Sequence, residues 1–238
     1  MPITDFTIKM TILEMLSGGR ALNKSNLLGT PPLVGDLERR LHVTFSTEER
    51  ALAGISFEQL KQAGLIRPTY TDLVHPEDWV EITDAGRCAL EQRALDDLDA
   101  ALRRVNPALC ELRHGATSAL VSGQPDSIRQ AAHSMRELIR QVLDILAPLE
   151  DVRAQPNFQP SHESDNGVTR KMRIRHIMRN RAAGFSASET DIAETLCLLI
   201  DKLYGTLSAE AHRDIRAEQR NVKDLIELTE TALRRLFL

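Results

Sequence analysis

The sequence predicts a mainly α-helical protein of two modules, one over residues 1–92 that includes two short strands and a wholly helical one over residues 93–238. Apolar residues recur every three or four positions over most of the chain, as they do on the buried face of a helix. Runs rich in branched and aromatic residues, which are typical of strands, stand out only between about residues 65 and 82. Apolar residues make up 42% of the chain, which is enough to form a core.

The N-terminal module has the element order of a winged helix-turn-helix. Helices are expected over FTIKMTILEML, LVGDLERRL and STEERALAGISFEQLKQAGLI. In the third, Ser46 and Glu49 have capping-box spacing, and Gly64 suits a left-handed C-terminal cap. LIRPTY and WVEIT follow as two wing strands, and Thr83 is expected to cap the next helix. The pattern F-x-x-L-x-x-x-G-L-I followed by W-x-x-I-T-x-x-G resembles winged-helix modules of many bacterial proteins, over about residues 5–92.

The charge of this module leaves two interpretations open. A winged helix often places a helix in the major groove of DNA, and contacts to phosphate need lysine or arginine. Residues 1–92 carry 9 basic and 13 acidic side chains, and the segment expected to read DNA is itself mixed. Its charged residues are Glu48, Glu49, Arg50, Glu58 and Lys61. DNA binding and docking to a protein are therefore both compatible with the sequence.

The C-terminal module is expected to consist of helices joined by breakers. The last helix of the first module should continue through about residue 105, and Pro107 should start the next one. A polar stretch with three prolines, residues 148–167, is expected to form a long loop. The remaining helices are expected over IRQAAHSMRELIRQVLDIL, VTRKMRIRHIMRNRA, SASETDIAETLCLLIDKLYGTL and DIRAEQRNVKDLIELTETALRRLFL.

One helix, residues 128–146, carries a column of cationic side chains beside its apolar face. Steps of four, three and four residues place Arg129, His133, Arg136 and Arg140 on one side of the helix. Like charges in such a column repel each other, so something acidic should compensate them. The compensating group is either phosphate or a set of carboxylates in the preceding helix. Those carboxylates are Asp96, Asp97 and Asp99.

A second basic segment lies in an otherwise acidic protein. Residues 156–182 carry six basic and two acidic side chains, whereas the whole chain has a net charge of −4. Such a segment is typical of nucleic-acid binding, although it is also compatible with pairing to the acidic C-terminal helices. The candidate nucleic-acid-binding residues are Arg170, Lys171, Arg173, Arg175, Arg179 and Arg181.

Histidine next to arginine suggests chemistry that needs no metal. An imidazole can move the proton of a ribose 2′-hydroxyl or of the leaving oxygen, while a guanidinium stabilises the charge that develops on phosphorus. The candidate catalytic residues are Arg129, His133, Arg136 and His212. The cluster of His162, Glu163 and Asp165 is expected to be a solvated loop, so no metal is predicted. No phosphate-binding glycine loop occurs, and no cofactor is expected.

Two resemblances bear on function. Residues 94–238 resemble the HEPN-type helical fold of prokaryotic defence and toxin proteins, and LCELRHGATSAL followed by PDSIRQAAHSMRELIRQVL resembles the family of predicted Piwi-associating nucleases. The resemblance implies a helical domain that cleaves nucleic acid in prokaryotic conflict systems. The HEPN hallmark is an arginine, a polar residue, a short spacer and a histidine. RQAAH has one spacer residue fewer, and the arginine is missing before His212, so active and non-cleaving forms both stay open.

The leading hypothesis is a nucleic-acid-acting component of a prokaryotic antiviral defence or toxin system, acting as a metal-independent endoribonuclease. RNA is the favoured substrate, a homodimer and a defence-system protein subunit are the expected partners, and no membrane is involved. A cytoplasmic location is expected because the chain has no signal peptide, no spanning segment and three separated cysteines. The alternative is a non-enzymatic winged-helix DNA-binding regulator or adaptor whose helices mediate dimerisation or docking. A third option is an antitoxin-like inhibitor whose acidic N-terminal face mimics nucleic acid.

Overall fold

The protein is mainly α-helical with one small three-stranded sheet, as the sequence predicts. The computed structural model describes residues 3–30, 33–122, 126–181, 187–212 and 219–237. Two compact units make up the chain: Met1–Ala100 with Val121–Gln124, and Ala101–Leu120 with Pro125–Leu238. The narrower names, winged helix and HEPN-like bundle, stay predictions, because helix content does not distinguish one helical fold from another.

The first unit packs helices against a short sheet. Its elements are α1 (Asp5–Leu16), β1 (Leu22–Asn23), α2 (Lys24–Leu28), α3 (Asp36–Leu41), α4 (Thr47–Gln62), β2 (Ile66–Pro68), β3 (Trp79–Ile82) and α5 (Asp84–Gln92). Helix α1 packs against α3, α4 and α5. Its Leu13 joins Phe57 of α4 and Val80 of β3 in one apolar core, and all three side chains are fully buried. This core fixes where α4 and the hairpin lie.

Local signals set the ends of these elements. Ser46 and Glu49 form the predicted capping box of α4, and Thr83 accepts a hydrogen bond from the Gly86 backbone N–H at the start of α5. After α4, Gly64 has a φ of 69°, which a residue without a Cβ adopts at little cost. Helix α5 was expected to continue to about residue 105, and this is wrong, because Arg93 adopts a left-handed conformation that ends the helix.

Helix α6 (Asp97–Val105) starts anew after this break, and α7 (Pro107–Ser122) follows it. The Asp96 carboxylate accepts a hydrogen bond from the Asp99 backbone N–H at 2.8 Å, and the Asp99 carboxylate accepts one from the Leu95 N–H at 2.9 Å. Acidic side chains stabilise a helix start by binding its exposed N–H groups. Two of the aspartates expected to compensate the arginine column therefore organise the start of α6.

The sheet has the order β1-β3-β2 and is antiparallel throughout. Strands β2 and β3 are the two strands predicted from LIRPTY and WVEIT, paired with Ile66 opposite Ile82. Strand β1 was not predicted. It has only two residues, Leu22 and Asn23, which is too short for any alternation of apolar and polar residues to be recognised in the sequence.

Glu38 is a buried carboxylate that joins three segments of the first unit. It is 1% exposed, and it accepts hydrogen bonds from the backbone N–H groups of Gly35 at 2.9 Å and Phe45 at 2.8 Å and from the Arg50 guanidinium at 2.7 Å. Burial by itself raises the pKa of Glu38, but the two backbone N–H groups and Arg50 together outweigh burial and lower it. The ionised form is therefore the one that stabilises the fold.

Replacing Glu38 with Gln is expected to lower the free energy of unfolding by about 2–3 kcal/mol at pH 7, because Arg50 loses its buried charge partner. The pKa of Glu38 is lowered in the folded state. The difference in unfolding free energy between the wild-type protein and Glu38→Gln should therefore have its full size above about pH 4.5, the ordinary glutamate pKa, and should shrink as the pH falls further. Urea unfolding at several pH values measures this. Glu14→Gln, at an exposed site on α1, is the control, and equal stability of the two variants at pH 7 would contradict this role of Glu38.

The second unit is built around α8 (Ser127–Leu146). Its other elements are α9 (Leu149–Arg153), α10 (Arg170–Arg181), α11 (Ala187–His212) and α12 (Gln219–Phe237), together with most of α7. Helix α8 packs against α10, α11 and α12 through its apolar face, where Met135 and Leu138 are fully buried. The stretch predicted as a long loop contains the short helix α9. Helix α8 is therefore the scaffold on which the candidate site lies.

Arg113 on α7 forms a buried ion pair with Glu230 on α12. The Arg113 Nε and Nη2 atoms donate to the two Glu230 oxygens at 2.8 and 3.0 Å, and the Arg113 side chain is 8% exposed. A two-point contact of this kind fixes both distance and orientation. The arginine of the RHGATSAL motif therefore makes a structural contact between two helices.

Glu230→Gln is expected to lower the free energy of unfolding by about 3 kcal/mol, since the change removes the negative charge from a buried two-point ion pair. The double variant Arg113→Met/Glu230→Leu should lose less, because it removes both charges. Chemical unfolding monitored by circular dichroism compares these proteins with Glu227→Gln, which changes an exposed glutamate of the same helix. The interpretation fails if the double variant is less stable than Glu230→Gln.

Candidate nucleic-acid interface

The predicted column on α8 forms one side of an open cavity at the N-terminal half of that helix. Arg129 and His133 are exposed and line a cavity of about 340 Å³ together with Gln130 and Ser134. Arg129 forms an ion pair with Asp126 at 2.8 Å. The structure thus brings two of the four candidate catalytic residues to one solvent-accessible surface.

Arg136 contacts His133 within this column. The Arg136 Nη2 atom lies 3.3 Å from the His133 Nδ1 atom. A guanidinium only donates hydrogen bonds, so Nδ1 is the acceptor in this contact. The Arg136 Nε atom is buried and has no hydrogen-bond partner in the structure. The pair therefore places an imidazole ring beside a guanidinium on the exposed side of α8.

Arg140, at the next position of the column, is held by carboxylates of its own helix. Its guanidinium binds Glu137 with an Nε to Oε2 distance of 2.8 Å, and it also binds Asp144. The hydrogen bond from Arg140 is the main reason that the pKa of Glu137 falls to about 2, and the same pairing raises the pKa of Arg140. The carboxylates that compensate Arg129 and Arg140 thus come from α8 and its first turn.

A second cavity of about 340 Å³ lies where α8, α10 and α11 meet, beside the segment 163–169. Four cationic side chains line it: Arg140, Arg170, Lys171 and Arg173. Glu163 and Asp201 supply negative charge to the same cavity, and Tyr204 contributes an aromatic ring. We call this site the basic cavity. Three of the six predicted nucleic-acid-binding residues belong to it.

Ion pairs within the unit engage each cation of the basic cavity. Arg173 binds Asp144 at 2.7 Å and the Ala147 carbonyl at 2.9 Å. Arg170 binds Asp201 at 2.9 Å, and the Lys171 ammonium lies 3.9 Å from that same carboxylate. The Arg170 guanidinium also lies 4.2 Å from the centre of the Tyr204 ring, within the range of a cation–π contact. These contacts fasten the N-terminal half of α10 to α8 and α11.

The C-terminal half of α10 presents different surroundings. Arg175 and Arg179 are exposed and lie four residues apart, so they share one face of the helix. Arg179 donates to the neutral Gln155 amide oxygen at 3.2 Å. Gln155 also contacts Nδ1 of the buried His176, so this face is held in place by a polar network. An exposed arginine on a neutral, ordered partner keeps its charge available for phosphate.

Two predicted site residues, Arg181 and His212, lie at the ends of helices. Arg181 ends α10 and His212 ends α11, and the side chains of both lie outside the described residues. In the part of the chain that the structure describes, no three His, Cys, Asp or Glu side chains are grouped so as to hold a metal ion. None of the described helices has the length and apolar composition that crossing a bilayer requires.

Most of the second unit lies in a region that matches a known protein family. A family model described as predicted pPIWI-associating nuclease matches residues 102–236, more than half of the chain. The protein therefore belongs to this family, as the resemblance of its sequence predicts. No curated protein and no solved structure is significantly similar to it.

Sequence reasoning missed the acidic half of this interface. Asp144 could have been identified from the sequence, because it lies four residues after Arg140, the spacing of a helical ion pair. Asp201 could not have been identified in this way, because it lies 31 residues from Arg170 and pairs with it only through the packing of α10 on α11. The pairing determines which arginines stabilise the fold and which remain available for a ligand.

Two arginines of the same helix should therefore respond differently to substitution. Arg173→Gln is expected to lower the free energy of unfolding by about 1–2 kcal/mol, because the Arg173 side chain is 12% exposed and joins α10 to α8. Arg179→Gln should change that free energy by less than about 0.5 kcal/mol. It should instead weaken binding of single-stranded RNA and reduce the salt dependence of binding by about one phosphate contact.

Urea unfolding and fluorescence anisotropy with a labelled oligouridine at several salt concentrations separate the two effects. Arg234→Gln, on the last turn of α12, is the control for a general loss of positive charge. If Arg179→Gln binds RNA with the salt dependence of the wild-type protein, the assignment of α10 is wrong.

Proposed function

We propose that the chain is a component of a prokaryotic antiviral defence or toxin system that cleaves RNA as a metal-independent HEPN-type endoribonuclease. Its membership of a family of predicted nucleases supports action on nucleic acid. The observation that carries the proposal is the contact between Arg136 and His133 on the exposed side of α8. RNA is the proposed substrate because the reaction uses the ribose 2′-hydroxyl.

The geometry supports separate regions for binding and chemistry. The exposed face of α10, with Arg175 and Arg179, is the proposed contact for the phosphate backbone. Along α8, His133 and Arg140 are seven residues apart, which corresponds to about 10 Å of helix. That length is about three steps along the axis of a helical nucleic acid, in which each strand rises about 3.4 Å per nucleotide. A strand that follows the column thus reaches His133 while other phosphates contact neighbouring cations.

The proposed reaction assigns a role to each candidate catalytic residue. The ribose 2′-oxygen attacks phosphorus and loses its proton to a base, for which His212 is the proposed residue. His133 acts in its imidazolium form, in which a proton on Nδ1 has replaced the hydrogen bond from Arg136. It gives its Nε2 proton to the 5′-oxygen as the phosphorus–oxygen bond breaks, and a neutral imidazole remains. Arg129 and Arg136 stabilise the charge on the non-bridging oxygens. The products are a 2′,3′-cyclic phosphate and a 5′-hydroxyl.

A non-enzymatic adaptor is the second candidate function, and one observation favours it. Arg129 is already paired with Asp126, the residue before α8, and Arg140 with Asp144 of α8, as expected for a column that meets no substrate. In this alternative the helices of the second unit mediate dimerisation or docking. In either case we propose a cytoplasmic protein that associates with a pPIWI protein, because the description of its family names that association.

Purified protein is expected to cleave single-stranded RNA in the presence of EDTA and to leave 5′-hydroxyl ends. His133→Ala and Arg136→Ala should each lower the cleavage rate by about 100-fold or more, the usual contribution of a general acid or of a positioned charge. His162→Ala removes an exposed histidine of another segment and should leave the rate unchanged. Gel analysis of end-labelled RNA measures all four proteins.

Cleavage that requires magnesium, or that survives both changes in the column, would rule out this mechanism. Unchanged RNA in every condition, together with retained RNA binding, would favour the adaptor.

A further inference from the structure

The segment between β2 and β3, residues 69–78, exposes three large apolar side chains, and we call it the wing tip. Tyr70 is 65% exposed, Leu73 98% and Val74 76%. Exposed apolar residues are common one at a time, but several together on one projecting hairpin are typical of a surface that contacts another molecule. The core of the first unit does not use these side chains, so a different role has to account for them.

Hydrogen bonds give the wing tip a defined shape. The Thr69 N–H donates to the Trp79 carbonyl at 2.8 Å, which closes the base of the segment. The Asp72 carboxylate accepts from the backbone N–H groups of Val74 at 2.8 Å and His75 at 3.2 Å, and these bonds lower the pKa of Asp72. The apolar side chains are therefore presented by an ordered turn, which reduces the entropy lost on binding.

The charge of the wing tip excludes a phosphate backbone as its ligand. Residues 69–78 contain three carboxylates and no lysine or arginine. The carboxylates are Asp72, Glu77 and Asp78. A wing that binds DNA needs cations, because neutralising phosphates provides most of the non-specific affinity.

The neighbouring helix α4 does not supply the missing cations. Its Lys61 binds Glu77 at 2.8 Å and lies 3.5 Å from Glu58, and these two carboxylates raise the pKa of Lys61, the hydrogen bond to Glu77 most of all. Lys24 binds Glu58 at 2.6 Å. The lysines next to the wing tip are thus already engaged with acidic side chains.

We infer that the wing tip docks into an apolar pocket, bordered by lysine or arginine, on a partner protein. Leu73 and Val74 would enter the pocket, and the acidic side chains would face the cations at its border. Apolar anchors with complementary charges around them are the usual composition of such contacts. This inference rests on the proposed function, since the pPIWI protein of the same system is the partner proposed there.

The experiment compares the full-length chain with Leu73→Ser/Val74→Ser. Leu33→Ser changes another exposed leucine of the same unit, 70% accessible, and is the matched control. Calorimetric titration with the purified pPIWI protein encoded in the same system is expected to show at least a 10-fold weaker Kd for the double variant. The control should differ from wild type by less than twofold, and all three proteins should unfold at the same temperature.

Each other outcome has a definite consequence. Equal affinity of the wild-type protein and the double variant overturns the docking inference alone. No binding by the wild-type protein overturns the proposed association, and the docking inference with it. A wing-tip variant that loses salt-dependent binding to duplex DNA, or that converts a wild-type dimer to a monomer in gel filtration, assigns the tip to nucleic acid or to a second copy and overturns the inference.

Discussion

The candidate nucleic-acid interface of α8 and α10 depends on Asp144, a carboxylate that binds both Arg140 of α8 and Arg173 of α10. Helix α10 is the most basic element of the chain, and an uncompensated row of arginines would not pack against the shoulder of another arginine-bearing helix. Asp144 makes that packing possible on one side, and Asp201 of α11 does so on the other by binding Arg170. The basic helix is thereby fixed in orientation, with its first half turned toward the bundle.

This orientation divides one run of basic residues into two roles. Arg170, Lys171 and Arg173 contact carboxylates in the basic cavity, whereas Arg179 rests on a neutral amide and is exposed. Stability and ligand binding therefore depend on different residues of the same helix. The acidic first unit fits this division. Lysines of this unit bind carboxylates, and its wing tip contains no lysine or arginine. The most basic segment of the chain, residues 156–182, lies in the second unit.

The features that could be predicted are those written in short stretches of sequence. Apolar periodicity located most helices, and the capping box of Ser46 and Glu49 marked the start of α4. Strand β1 and the break after Arg93 were missed, because a two-residue pairing and a left-handed residue leave no periodic signal. The column on α8 was recognisable from its spacing, and its ion-pair partners lie three or four residues away in the sequence. Asp201 could not be assigned to Arg170, because that pair depends on how α10 packs against α11, which a single sequence does not specify.

The most direct measurement of the central claim is photochemical cross-linking of the full-length protein to single-stranded RNA that contains 4-thiouridine, followed by mapping of the cross-linked peptides. The account predicts cross-links within residues 174–181 of α10 and 129–136 of α8, where exposed arginines and His133 lie. Cross-links confined to the first unit, residues 20–92, would contradict it, because they would place the nucleic acid on the acidic part of the chain.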